Sequence, residues 1–119
     1  MKLIIAGSRD LLVDSDFIEA AVKFFRLDVT EVVSGNSGNV DEAGEEWSLF
    51  FLEKEAKSFP ANWRQEGVGA GPIRNNKMAE YGEALLLIWD GTSKGSLNMR
   101  MNMLNRSKPV YEIVLRSHT

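Results

Sequence analysis

At 119 residues, 44% hydrophobic and 26% charged, the chain supports one hydrophobic core spanning residues 1–119 and leaves no room for an extended disordered tail. With no cysteine and a single histidine, His118, it lacks the ligands for a disulfide, a thiolate metal site or a histidine triad, so no metal or cofactor is expected. A net charge of −3 argues against nucleic acid as a partner, and the lack of any apolar run near the roughly 20 residues of a membrane span, or of a signal-peptide core in Met1–Ala6, points to the cytoplasm.

Lys2–Ala6 is a short apolar run closed by Gly7-Ser8-Arg9-Asp10 and reads as a buried strand entering a turn. Asp14 or Ser15 then caps a helix whose apolar residues Phe17, Ile18, Ala21, Val22 and Phe25 recur at helical spacing, with Glu19, Lys23 and Arg26 facing away. The β-branched run Val29–Val33 predicts a second strand that leads into the polar loop Ser34-Gly35-Asn36-Ser37-Gly38-Asn39. Val40, Ala43, Trp47, Phe50 and Phe51 hold the helical period to about Ala56, and Lys57–Phe59 reads as a short third strand. A long loop follows, from Pro60-Ala61-Asn62-Trp63 to Gly71. Pro72 suits the first turn of a helix running to about Gly82, and Ala84–Trp89, six apolar residues without alternation, is a strand expected to be covered on both faces. The glycine loop Asp90–Ser96, a helix over Leu97–Asn105 and a strand over Pro109–Val114 complete the chain.

Strands alternating with helices predict an α/β, Rossmann-like three-layer domain: a mostly parallel sheet of about five strands, right-handed crossovers, and helices on both faces. In such sheets ligands bind outside the carboxyl ends of the strands, near the point where strand order reverses. The polar glycine loops all fall at that end. Gly7, Ser8 and Arg9 offer a backbone turn with a counter-charge for phosphate. Ser34, Gly35 and Asn36 look like a cradle at a helix amino end, but the acids Asp41, Glu42, Glu45 and Glu46 that follow would repel phosphate, so Asp41 is better suited to accept from ribose hydroxyls. Gly71, Arg74 and Asn75 open a helix where Arg74 and Lys77 meet an unfavourable macrodipole that a bound anion would reverse. Asp90, Gly91, Lys94, Gly95 and Ser96 supply amides and hydroxyls after the most apolar strand, with spacing that is not a Walker A motif. Gly67, Gly69 and Gly71 follow a loop and not a strand, which rejects a dinucleotide fingerprint. Trp63, in the loop, is the tryptophan placed to stack on a base, while Trp47 and Trp89 read as core.

Taken together, Ile4-Ile5-Ala6-Gly7-Ser8-Arg9, Val33-Ser34-Gly35 with Gly38-Asn39-Val40-Asp41 and Gly44-Glu45, Pro60-Ala61-Asn62-Trp63, Gly69-Ala70-Gly71-Pro72-Ile73-Arg74-Asn75 with Met78, and Trp89-Asp90-Gly91 with Lys94-Gly95-Ser96 carry a likeness. They resemble, over nearly the whole chain, the YspA-type branch of the DprA/LOG-like (SLOG) superfamily. The resemblance implies a Rossmann-like domain that binds nucleotides or nucleotide-derived signals, in a superfamily linked in bacteria and phages to nucleotide-signalling defence. It also implies an alternative: Lonely Guy relatives cleave the bond between base and ribose 5'-monophosphate with an arginine and a glutamate after a glycine-threonine pair, and the match carries that arginine onto Arg74. The chain departs from the pattern at Asn36, where a second glycine is usual, at Ser96, which replaces the threonine, and at Asn98 and Met99, neither of which is acidic. A ligand-binding module is therefore expected ahead of a nucleotide N-glycosidase, with Arg74 and Asp41 as the catalytic candidates of the latter. DprA-like single-strand DNA binding is the weaker alternative.

The last helix carries Leu97, Met101 and Leu104 on one face and Met99 and Met103 on another. One strip remains after the core is served, which predicts a homodimer or higher homo-oligomer.

Overall fold

The computed structural model describes residues 1–116, so His118 lies outside the described residues. Five strands, β1 (Lys2–Gly7), β2 (Glu31–Ser34), β3 (Lys57–Ser58), β4 (Ala84–Trp89) and β5 (Val110–Val114), form one sheet in the order β3-β2-β1-β4-β5. Every neighbouring pair is parallel. The helices are α1 (Ser15–Phe24), α2 (Asn39–Trp47), α3 (Trp63–Glu66), α4 (Ala70–Tyr81) and α5 (Lys94–Asn105).

The two-residue period of a strand decides which side chain meets which layer. Leu3 and Ile5 of β1, with Leu86 and Ile88 of β4, point to one face and pack on Ile18, Ala21 and Val22 of α1 and Val40, Ala43 and Trp47 of α2. Ile4 and Ala6, with Leu85, Leu87 and Trp89, point to the other and pack on Met78 and Ala79 of α4 and Met99 and Met103 of α5. The result is a three-layer, Rossmann-like α/β domain. The chain builds β1, β2 and β3 outward in one direction, then crosses to the far side of β1 to lay down β4 and β5. Strand order thus reverses between β1 and β4, and the loops after those two strands diverge there.

Backbone closeness at this point is extreme. Gly7 pairs with Ile88, and a Cβ on Gly7 would stand 1.8 Å from the Ile88 carbonyl oxygen. Only glycine lets β1 end against β4.

β2, expected over Val29–Val33, runs instead over Glu31–Ser34, and the elements depart from the sequence expectations in three further places. The helix expected to run to about Ala56 is α-helical to Trp47 and continues as a π-helical turn over Ser48–Leu52, which leaves Phe50 and Phe51 exposed. Helical period in the sequence does not register a change of pitch. The segment expected to be a loop from Pro60 to Gly71 contains α3 and a 3-10 turn over Gly67–Gly69, and α4 begins at Ala70, two residues before Pro72. Asn62 supplies the start signal for α3, because its Oδ1 accepts from the Gln65 N–H. Finally, α5 starts at Lys94, where the Ser93 hydroxyl caps the Ser96 N–H.

Candidate functional site

A cleft of about 630 Å³ opens at the reversal point, outside the carboxyl ends of β1 and β4. Its floor is the β1 loop, with Gly7, Ser8 and Arg9, and the β4 loop, with Asp90, Lys94, Gly95 and Ser96. Asp41 of α2 enters from one side, and Gly71, Arg74 and Asn75 of α4 enter from the other. Trp63 of α3 is about half exposed at the rim. Residues separated by up to 93 positions in the chain, from Ala6 to Met99, are thereby brought to one crevice.

Local hydrogen bonds set the shape of this floor. Asp90 Oδ1 accepts from the Thr92 and Ser93 N–H groups, each at 2.8 Å, which turns the chain sharply from β4 into α5. Those two bonds hold the Asp90 carboxyl below the ordinary carboxylate range. The Ser8 hydroxyl accepts from the Asp90 N–H at 3.1 Å and ties the β1 loop to the β4 loop. Asn75 is a brace: its Nδ2 donates to the Gly95 carbonyl and to Asn98 Oδ1, and its Oδ1 accepts from Arg74 Nε at 3.0 Å. Ser8 and Asn75 therefore line the cleft with side chains already engaged in building it.

Among the described residues, Arg74 and Asp41 are the two buried charges. Arg74 Nη1 donates to the Gly35 carbonyl, so the guanidinium is held by one backbone group and one side-chain amide. Burial lowers its proton affinity, Asp41 works to raise it and Arg9 to lower it, yet an arginine stays charged. Asp41 Oδ2 accepts from the N–H and the hydroxyl of Ser37, both at 2.9 Å. Burial nevertheless raises the Asp41 carboxyl above its usual value, against the lowering effect of Ser37 and Arg74.

Four sequence candidates do not line the cleft. Ser34 donates to Glu45 and is fully buried, Gly35 lends only its carbonyl to Arg74, Asn36 sits beyond it in a left-handed turn (φ 54°), and Gly91 is exposed past the Asp90 turn. A Cβ on Gly35 would fall 2.6 Å from Arg74 Nη1, so this glycine makes room for the guanidinium and not for a ligand. Lys77, the other cation expected at this helix start, lies on the exposed side of α4 and lines a separate cavity, not the cleft. Conversely, Asp10, Ser37, Ser93 and Asn98, none of them a binding candidate from the sequence, line it. The serine three residues ahead of Ser96 and the serine four ahead of Asp41 were readable as cap and turn signals. Asn98 stands where the resemblance would place an acid, and nothing in the sequence marks Asp10.

The charge balance of the lining is even: Arg9, Arg74 and Lys94 against Asp10, Asp41 and Asp90. Among the described residues none of these six forms an ion pair; the ion pairs there are Arg100 with Glu112 and Arg106 with Glu80. At the mouth of α5 the first N–H groups, from Lys94 and Gly95, lie ahead of any intrahelical carbonyl, and no acid occupies that first turn. Such an end attracts an anion. No protein-family model matches the chain, and no curated protein or solved structure matches it significantly. The chemistry of the cleft is thus read from its own residues.

Proposed function

We propose that the cleft binds a nucleotide or nucleotide-derived phosphate ligand, the protein acting as a sensor or a sequestering module. The observation that carries this reading is the set of three cations and three carboxylates that stand together at the strand-order reversal without pairing. Unpaired cations beside an acid-free helix start suit a phosphate, and the facing carboxylates suit the hydroxyl donors of a ribose. Trp63 at the rim adds an aromatic face for a base. The volume is that of an ordinary small-molecule site.

A panel of nucleotides tested by thermal shift identifies the ligand, because binding to the folded state raises the melting temperature. With the best ligand, Arg74→Lys is expected to weaken binding by roughly 1.5 to 3 kcal/mol, through loss of the planar fork with the charge retained. The dephosphorylated nucleoside should lose nothing. Calorimetry on both ligands checks this, and an equal loss for the two removes Arg74 from the phosphate site. Lys94→Gln, at an exposed position, provides the same comparison without disturbing the Gly35 contact.

Cleavage of the N-glycosidic bond is the second reading, favoured by one observation: Asp41 is a buried carboxyl of raised pKa in the cleft wall. An oxocarbenium-like transition state needs such a group close to the sugar. Against it, the cleft position offered by α5 is Asn98, whose Oδ1 is engaged by Asn75 and Asn102. Base release from purine and pyrimidine monophosphates is expected to be absent or very slow. Chromatographic detection of free base at rates approaching about 1 per second, abolished by Asp41→Asn, would replace the binding module with an enzyme.

A further inference from the structure

A second cavity, of about 330 Å³, lies beyond the carboxyl end of β3, between the α3 segment and α4. Arg74 lines it as well as the main cleft, so one residue forms the partition between the two. Lys77 lines the second cavity alone. Three residues apart on α4, Arg74 and Lys77 lie on one face about a turn apart, where like charges repel. Neither has an ion-pair partner among the described residues, and neither Arg74 Nη2 nor Lys77 Nζ donates a hydrogen bond there. Among the neutral polar groups nearby, Asn62 Nδ2 donates to Gln65 Oε1 at 2.9 Å and the Ser58 hydroxyl donates to Asn36 Oδ1 at 3.4 Å. What remains is unspent cationic donor capacity against a single carboxylate, Glu66, that pairs with neither cation.

We propose that this cavity is an oxyanion subsite in which Lys77 and Arg74 together take one phosphate group. The subsite rests on the reading of Arg74 as an anion partner, and it extends that reading to a doubly phosphorylated ligand whose two anionic groups contact opposite sides of one guanidinium. A second phosphate of the same ligand and free inorganic phosphate share this chemistry.

Titration of the full chain with inorganic phosphate, followed by amide NMR, tests the subsite. The Phe59, Gln65 and Lys77 signals are expected to move, and Lys77→Gln should weaken that response about tenfold while signals of Lys94 to Ser96 still respond. Glu66→Gln should tighten it, since a repelling carboxylate is removed, which a merely structural role of these residues would not produce. Both substituted side chains are free of hydrogen bonds among the described residues, so the variants keep the fold. Silence of the Phe59, Gln65 and Lys77 signals in the unmodified protein, or a response unchanged by both variants, overturns the proposal. Nucleotides that move no cleft signal, with the phosphate response of Lys77 intact, would sink the nucleotide reading and leave the subsite standing. A nucleoside 3',5'-bisphosphate that moves both sets at one equivalent, where the 5'-monophosphate moves only the cleft set, assigns the second phosphate to the same ligand. A bisphosphate that moves only the cleft set assigns the subsite to free phosphate.

Discussion

Asp41 and Arg74 line one cleft but respond to burial in opposite senses, and Asp41 makes the consequence measurable. Its folded pKa lies above the unfolded value of 3.8, so the folded protein holds more proton than the unfolded chain between the two values. Stability tied to Asp41 is fully present below pH 3.8 and is lost as pH rises through the folded pKa. Asp41→Asn keeps an acceptor for Ser37 and removes the charge. In urea titrations it should therefore equal or exceed the unmodified protein at pH 7, and its advantage should shrink as pH is lowered towards 4 (roughly the ordinary aspartate value). An advantage that grows on acidification would mean that Arg74 outweighs desolvation. Asp90 has the reverse sign: its depressed pKa gives stability that is present above pH 3.8 and lost as pH falls through the folded value. Asp90→Ala should flatten the acid limb of the stability profile.

At the scale of elements, what holds a helix end often lies far away in sequence. The ammonium of Lys108 donates to the carbonyls of Ala79, Glu80 and Gly82, at 2.6, 3.1 and 2.7 Å, and so satisfies the carboxyl end of α4 from the start of β5. No basic residue in the last turn of α4 could do this. Lys108→Met retains much of the stem and removes the cap, and is expected to cost about 1 to 2 kcal/mol by chemical denaturation. Lys108→Arg should recover part of it. The junction of β1 with β4 is stricter. In Gly7→Ala the new methyl would overlap the Ile88 carbonyl, so a loss above about 4 kcal/mol, read as failure to purify folded protein, is expected.

Over the whole molecule, α5 divides its apolar side chains between interior and surface. Met99 and Met103 are buried against β4, whereas Leu97, Met101 and Leu104 remain nearly half exposed on one strip. An apolar strip of this kind supports association of copies. Met101→Glu places a charge in its middle at an exposed position, where the cost to the fold stays within about 0.5 kcal/mol. Light scattering at tens of micromolar should give an oligomer for the unmodified chain and a monomer for the variant. A monomer in both cases would leave the strip as bare surface. Among the described residues no helix is long and apolar enough to cross a membrane.

The sequence alone determined the order of the five strands and of α1, α2, α4 and α5, and the sheet class, because alternation of apolar runs with helical periods is local. Ala84–Trp89 reads as a doubly covered strand from its six apolar residues, and every one of them is buried. The loops after β1 and β4 were likewise legible, since glycine, serine and aspartate after an apolar run make turns for local reasons. Tertiary structure alone decided which strand neighbours which, and therefore where the loops converge. It turned Lys77 out of the cleft and brought Asp10 and Asn98 into it, because packing on the sheet decides which face of α4 is buried: Arg74, Asn75, Met78 and Ala79 take that face and leave Lys77 outside it. It also committed Ser34 to Glu45 and Asn75 to Gly95 and Asn98, partners 11, 20 and 23 residues distant. A polar side chain in a sequence looks available for a ligand; only the folded chain shows whether its hydrogen bonds are already taken.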